Sequence, residues 1–459
     1  MATLNKKTEK RMSETRLAGG MGMKAAVQDA EALLRRASLA CLLWEDLAYE
    51  TGSSVAKNIS ELVPQVAPEK VAGLAVEARF AQKLRHLPLL LVAEMAKHDS
   101  HKGLVAETLT KVIHRADELT EFLSIYWRNG KTPLSAQVKK GLAKAFNKFD
   151  EYSLAKYNRA KDVKLVDVMR MVHPVPKDAE QAALWGRLKN DELATPDTWE
   201  VALSKCHTVD EKKNCWERLL TENKLGALAL LRNLRNMTQV GVKPSLIRNA
   251  LKTANVGMML PMNFFAAAKH APDYVREIED MMLRSCAEMP KLTGHTILVV
   301  DVSGSMSCPV SSKSEFSRMQ AAMSMAVIAA EMCESVTIYA TAGGYGGHKT
   351  AKVKASRGFG LVDQIQNLVN GLGGGGIFTR QCLEYIKQET KEKPDRIIIF
   401  SDSQDCDHVN KVPSPFGVKN YIVDVSAHKH GVNYAGVWTA EISGWSENFL
   451  RYIAAYESN

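Results

Sequence analysis

The chain has 459 residues, 46% of them hydrophobic and 24% charged, with 60 Lys and Arg against 51 Asp and Glu for a net charge of +9. That length allows two or three domains with sizeable cores. No window approaches the roughly 18–20 apolar residues of a membrane span, and the first residues, Met1-Ala-Thr-Leu-Asn-Lys-Lys, lack the apolar stretch of a secretory signal, so a cytoplasmic protein away from membranes is expected. The eight cysteines (41, 206, 215, 286, 308, 333, 382 and 406) form no C-x-x-C pair and are read as reduced, mostly buried thiols rather than a zinc cluster. Residues 291–459 hold 16 basic and 16 acidic side chains, so the whole excess of positive charge lies in residues 1–290. A basic part joined to a neutral one points to an anionic polymer, most simply nucleic acid, although an ordinary basic surface gives the same count.

In chain order, residues 1–22 are polar, basic and Gly-rich, as in a flexible tail. From there to about residue 288, apolar residues recur at three- and four-residue spacing. This pattern predicts helices over Ala30–Tyr49, Glu69–Lys97, Lys102–Trp127, Leu142–Tyr157, Leu165–Val172, Trp199–Leu203 and Leu225–Met237. Pro64, Pro68, Pro133, Pro174, Pro176 and Pro244 punctuate them, so a stack of helix pairs is expected, without a strict sequence period. The Met-rich run Val256–Met262 reads as helix-packing core. Near 288–293 the texture changes to strands Ile297–Val300, Ser335–Ala340, Arg396–Phe400 and Tyr421–Val425, alternating with helices over 316–332, 361–372, 380–388 and 446–456. Alternation of this kind predicts a mainly parallel, doubly wound α/β sheet. The clusters Gly343–Gly347 and Gly373–Gly376 do not fit the phosphate-cradling G-x-x-x-x-G-K-[ST] pattern and read as ordinary loops.

One stretch carries chemistry. Thr296-Ile-Leu-Val-Val-Asp301-Val-Ser303-Gly-Ser305 is an apolar strand ending in a carboxylate, followed at alternate positions by two hydroxyls. A hard divalent cation such as Mg²⁺ takes few carboxylates, several neutral oxygens and retained waters. A second strand, Arg396–Ser401, runs into Asp402, so one site at the carboxyl edge of the sheet is expected, where open α/β folds bind ligands. An Asp that merely caps the next helix is the simpler alternative. There is no H-E-x-x-H, no Ser/Cys/His triad spacing and no general base paired with Ser303 or Ser305, so no enzyme is expected.

The Asp-x-Ser-x-Ser pattern resembles the metal-ion-dependent adhesion site of von Willebrand factor A domains. Ala227-Leu-Ala-Leu-Leu-Arg-Asn-Leu-Arg-Asn-Met-Thr-Gln-Val-Gly-Val242, Lys156-Tyr157, and Asp167-Val-Met-Arg170-Met-Val-His173-Pro174 resemble segments of the TROVE family in family order. The resemblance spans roughly residues 25–456. It implies a HEAT-like helical-repeat ring over 23–290 followed by an A domain over 291–459. It also implies a monomer that binds small non-coding RNA of the Y RNA kind and single-stranded RNA ends in RNA quality control, in some relatives with an exoribonuclease such as polynucleotide phosphorylase.

By the same resemblance, Lys156 and His173 match positions of RNA contact. Lys156 offers a phosphate a point charge, and His173 offers a base a flat ring, while a helix-terminal histidine capping carbonyls is the plainer reading. Arg170, one turn before His173 and on the same helix face, is placed to fork onto a phosphate, and Lys139 and Lys140 to add contacts or simply to face solvent. Arg232 and Arg235 share a helix face and read slightly better as partners of acids between helices. For the metal, Asp301, Ser303 and Ser305 are the expected ligands, with Asp402 holding waters. The resemblance implies a Gly-Gly-Thr loop as well. An ungapped alignment puts Ile377 at its Thr position, and Thr379 serves if the loop is two residues longer. An alternative function is a protein scaffold whose Mg²⁺ captures an acidic side chain.

Overall fold

The computed structural model describes residues 30–39, 52–158, 163–257, 259, 262–287, 289, 291–310, 314–407, 413–426, 437–444 and 448–457. The expected tail 1–22, the second half of the first expected helix, and Met258, Leu260 and Pro261 of the Met-rich run lie outside these residues. The chain divides into two compact units, one spanning Ala56–Ala250 and the other joining Met1–Val55 with Leu251–Asn459.

The helices preceding the sheet are α1 (Ala30–Leu39), α2 (Gly52–Leu62), α3 (Pro68–Phe80), α4 (His86–Met95), α5 (Lys102–Val112), α6 (Asp117–Tyr126), α7 (Ala136–Phe146) and α8 (Glu151–Tyr157). They continue with α9 (Leu165–Val172), α10 (Ala179–Asn190), α11 (Trp199–Ser204), α12 (Val209–Thr221), α13 (Ala227–Gln239), α14 (Pro244–Thr253), α15 (Met262–His270) and α16 (Val275–Ala287). Three long expected helices are each two. Residues 69–97 break after Phe80, where Lys83 takes a left-handed φ of 55°. Residues 102–127 break where the Glu118 carboxylate accepts the N–H groups of His114 and Arg115. Residues 142–157 break at Asp150, whose side chain accepts the Ser153 N–H and starts α8. Hydrophobic periodicity reports a buried face but not a capping side chain, so it runs through such joints.

In the first unit α4 is buried along its whole length from Leu87 to Met95, and α3, α5 and α6 pack around it. Its one carboxylate, Glu94, is neutralised by Lys97 at 2.7 Å and Arg128 at 2.8 Å, as a buried charge must be. The close crossing of α5 and α7 depends on Gly141, where a Cβ would come 3.0 Å from both Ala106 O and Leu109 Cβ. That crossing buries Val138, Leu142, Ala145 and Phe146 and leaves Lys139, Lys140 and Lys144 on the solvent side of α7.

The second unit holds the sheet, with β1 (Leu292–Asp301), α17 (Arg318–Met332), β2 (Cys333–Gly344), β3 (Gly347–Lys352), α18 (Phe359–Val369), α19 (Thr379–Glu389), β4 (Arg396–Ser401), β5 (Lys419–Asp424), β6 (Ala440–Ser443) and α20 (Asn448–Glu457). The strand order is β3-β2-β1-β4-β5-β6, parallel except for the β2–β3 hairpin. Ile297 and Val299 of β1 and Ile397 and Ile399 of β4 pack against Leu383 and Ile386 of α19, the apolar run that a doubly covered parallel strand requires. Strand-like spacing foretells β1, β2, β4 and β5 but not β3 and β6. The first is polar (Gly-His-Lys-Thr-Ala-Lys) and the second only four residues long.

Candidate functional site

Chain direction switches between β1 and β4, because the strands that follow β1 in sequence add on one side and those that follow β4 on the other. The two carboxyl ends meet there, the place where open α/β sheets leave a crevice. Asp301 ends β1 and is fully buried. Its Oδ1 accepts the Ser303 N–H at 2.8 Å and its Oδ2 accepts the Ser401 hydroxyl, from the end of β4, at 2.7 Å. Burial, helped by the charge of Asp402, pushes the Asp301 carboxyl up to about 7, against the lowering effect of those two hydrogen bonds. The Ser303 and Ser305 hydroxyls lie 3.3 Å apart.

The neighbouring loops are stitched to this turn by backbone. Gly304 N–H donates to Gly375 O at 3.0 Å, and Gly375 N–H donates to Gly343 O at 2.8 Å. A Cβ at Gly304 would stand 2.7 Å from Gly374 O, so the two loops meet without room for a side chain. Both glycine clusters therefore shape this edge as close-packed loops.

Asp402 is buried, with its Oδ2 held 2.6 Å from Nη1 of Arg318 at the start of α17 and its Oδ1 without a hydrogen-bond partner among the described residues. Thr379 is buried at the start of α19. Its N–H donates to Asp405 Oδ1 at 3.2 Å, and its hydroxyl has no partner among the described residues. Ile377 is buried and bridges to Asp405, which makes it core rather than a donor. Asp301, Ser303, Ser305 and Asp402 thus belong to one strand-end cluster. Thr379 opens α19 and is tied to Asp405.

The donors are all oxygen, two are neighbouring hydroxyls, and a buried carboxylate oxygen and a buried hydroxyl have no hydrogen-bond partner among the described residues. This chemistry suits a hard cation. Among the described residues no group of three or more His, Cys, Asp or Glu has metal-holding geometry, so any ion there would rely on hydroxyls and water. Sequence reasoning missed Arg318, which only the fold brings to Asp402. It also missed Asp424-Val-Ser426, where the Asp424 carboxylate takes both the N–H and the hydroxyl of Ser426 at the end of β5.

The residues expected at RNA lie in the other unit. Lys156, in the last turn of α8, stands 5.6 Å from the Tyr157 ring and 5.8 Å from the Tyr152 ring, and forms no ion pair among the described residues. Lys139 and Lys140 are exposed on α7, which carries no acidic residue. Arg170 is exposed on α9, 3.9 Å from Asp167. His173 follows α9 as its C-cap in the left-handed region, φ 46°, with its N–H on Met169 O. The helix therefore ends at Val172, and the helical spacing that would put His173 on the face of Arg170 does not extend to it. Arg232 and Arg235 are exposed on α13 and, contrary to the pairing expected, have no acidic partner among the described residues.

The architecture defines a helical-repeat-like protein carrying an α/β domain with a six-stranded, mostly parallel sheet. The TROVE domain model matches residues 5–190 and 185–337, and the von Willebrand factor type A domain model matches residues 296–404. The chain belongs to the TROVE family. Its fold is similar to that in the crystal structure of the Deinococcus radiodurans RO (RSR) protein, with a TM-score of 0.59 at 17% identity, covering 91% of this chain and 97% of that one. No curated protein matches the sequence. Among the described residues no helix is long and apolar enough to cross a membrane.

Proposed function

We propose that this chain is a non-catalytic RNA-binding scaffold. It would take small non-coding RNA of the Y RNA kind and the single-stranded ends of misfolded RNA, and pass them on in quality control, with an exoribonuclease of the polynucleotide phosphorylase type as a candidate partner. Family membership supports RNA as the class of partner. The observation that carries the reading is the state of the positive charges. Arg79, Arg85, Arg115 and Arg187 are each held by a carboxylate, whereas Lys139, Lys140 and Lys156 have no such partner among the described residues. Uncompensated ammonium groups are what phosphates require.

Lys156→Ala combined with His173→Ala is expected to weaken binding of RNA with a single-stranded 3′ end. The log–log salt dependence should flatten by about 0.7 for each phosphate that the variant leaves unneutralised. Wild-type affinity in a folded double variant would overturn the assignment.

A second reading concerns the A domain and is favoured by the Asp402 and Thr379 oxygens that have no hydrogen-bond partner among the described residues. Mg²⁺ would be held by Asp301, Ser303 and Ser305, with Asp402 on its waters and Thr379 beside it. It would supply a Lewis-acidic position for a carboxylate of an acidic partner. Asp301→Ala should abolish stabilisation by Mg²⁺ and leave RNA affinity nearly intact. Loss of RNA binding in the folded variant would argue against separate sites.

A further inference from the structure

The unit that carries Lys156 also interleaves aromatic rings with cations. Phe80, at the end of α3, meets the His114 ring edge-on at 4.9 Å. The next residue, Arg115, sets its guanidinium 4.8 Å over the Tyr157 ring. Lys156 lies within 6 Å of both Tyr157 and Tyr152, at 5.6 and 5.8 Å. Linked through the adjacent residues His114 and Arg115, these contacts make one row from Phe80 through Tyr157 and Lys156 to Tyr152, and the residue at each end is 49% exposed. The packing aromatics of the same unit behave differently. Phe146 and Trp185 meet edge-on at 5.6 Å but are 0% and 6% exposed.

Charge separates the roles within the row. The Arg115 guanidinium forks onto Asp117 at 3.1 and 2.9 Å, so it fixes Tyr157 in place with its charge already matched. The Lys156 ammonium lies by the Tyr157 and Tyr152 rings and has no carboxylate partner among the described residues. A half-exposed ring beside an unmatched ammonium offers a nucleotide both things it presents when unpaired, a base face and a phosphate. A base inside a duplex presents no free face, and the deep groove of A-form RNA is closed to side chains.

We propose that this row is a track for unpaired nucleotides, with Tyr152 and Phe80 as base-stacking platforms and Lys156 as the phosphate contact beside Tyr152. The proposal rests on the RNA-binding reading and deepens it, assigning single-stranded rather than duplex RNA to this surface.

The test uses the full-length protein, an unstructured oligouridylate and a blunt-ended RNA duplex of the same length, with affinity read by fluorescence anisotropy. Tyr152→Ala and Phe80→Ala should each weaken oligouridylate binding about ten-fold, Tyr152→Phe should bind as wild type, and duplex binding should be unchanged by all three. Oligonucleotides carrying 5-iodouridine should photo-crosslink to Tyr152 or Phe80 in peptides mapped by mass spectrometry. Wild-type affinity in both alanine variants together with crosslinks elsewhere overturns the track. If Lys156→Ala with His173→Ala still weakens binding in that case, the RNA reading stands without it. If the wild-type protein binds no oligouridylate, both fall.

Discussion

Nη1 of Arg318 lies 2.6 Å from Oδ2 of Asp402, and the two side chains are 7% and 0% exposed. With Asp301 the cluster holds two buried carboxylates and one guanidinium, so Arg318 supplies part of the positive charge that a metal would otherwise supply alone. Arg318→Met should cost about 3–5 kcal/mol, the usual penalty for stranding a buried charge. Urea unfolding should show the loss, and Mg²⁺ should raise the variant's midpoint more than the wild type's. An unchanged midpoint in the variant would contradict this account.

The start of α19 is capped from a distant loop. Asp407 Oδ2 accepts the N–H groups of Arg380 and Gln381, and its Oδ1 accepts the Gln381 side-chain amide at 2.8 Å. Asp407→Ala is expected to destabilise the domain by about 1–2 kcal/mol, with Asp407→Asn losing less. Hydrogen exchange should report the difference at the first turn of α19, and equal exchange in all three proteins would refute the capping role.

At Gly343 a Cβ would stand 2.4 Å from the Phe378 ring and 2.5 Å from Gly347 O. Gly343→Ala should therefore cost about 1–3 kcal/mol by overpacking. Because Gly343 O also holds Gly375, the same change should alter the response to Mg²⁺, measured as the shift in thermal midpoint on adding the ion.

The loop before α11 is tied to α12 through Asp197, which takes the Arg218 guanidinium at two distances of 3.1 Å and Lys224 at 2.6 Å. Hydrogen bonds from these cations hold the Asp197 carboxyl well below its ordinary 3.8. A lowered carboxylate stabilises the fold above its unfolded value and loses that contribution as pH falls below 3.8. The pair is solvent-exposed, so the effect is small and screened by salt. In Asp197→Asn the acid limb of the stability–pH curve should be shallower, most visibly at low ionic strength. An identical limb would show that the cluster contributes nothing.

How much the sequence revealed depended on how local each signal was. Asp301, Ser303 and Ser305 lie within five residues of one strand end and were legible from spacing alone, as was Asp402 at the end of its own apolar strand. Arg318 was not, because nothing near it in sequence announces that α17 begins against Asp402. Asp405 and Asp407 were hidden in the same way, since they act on a helix 26 residues earlier in the chain. The lysines of α7 were visible as charges, but their lack of acidic partners among the described residues is a property of three-dimensional neighbours. His173 lost its helical register to a left-handed turn just before Pro174, and periodicity has no means of registering that change.

The order of the sheet also bears on synthesis. β1 pairs on one side with β2, which follows it closely, and on the other with β4, where Ile297 meets Ile397. During translation the β1–β2–β3 portion emerges first, and one flank of its most apolar strand stays unpaired until the ribosome has added β4. Exposed strand edges of this kind invite aggregation, and non-local pairing slows folding. Nascent chains stalled between Lys352 and Arg396 are therefore the ones on which a chaperone should be found.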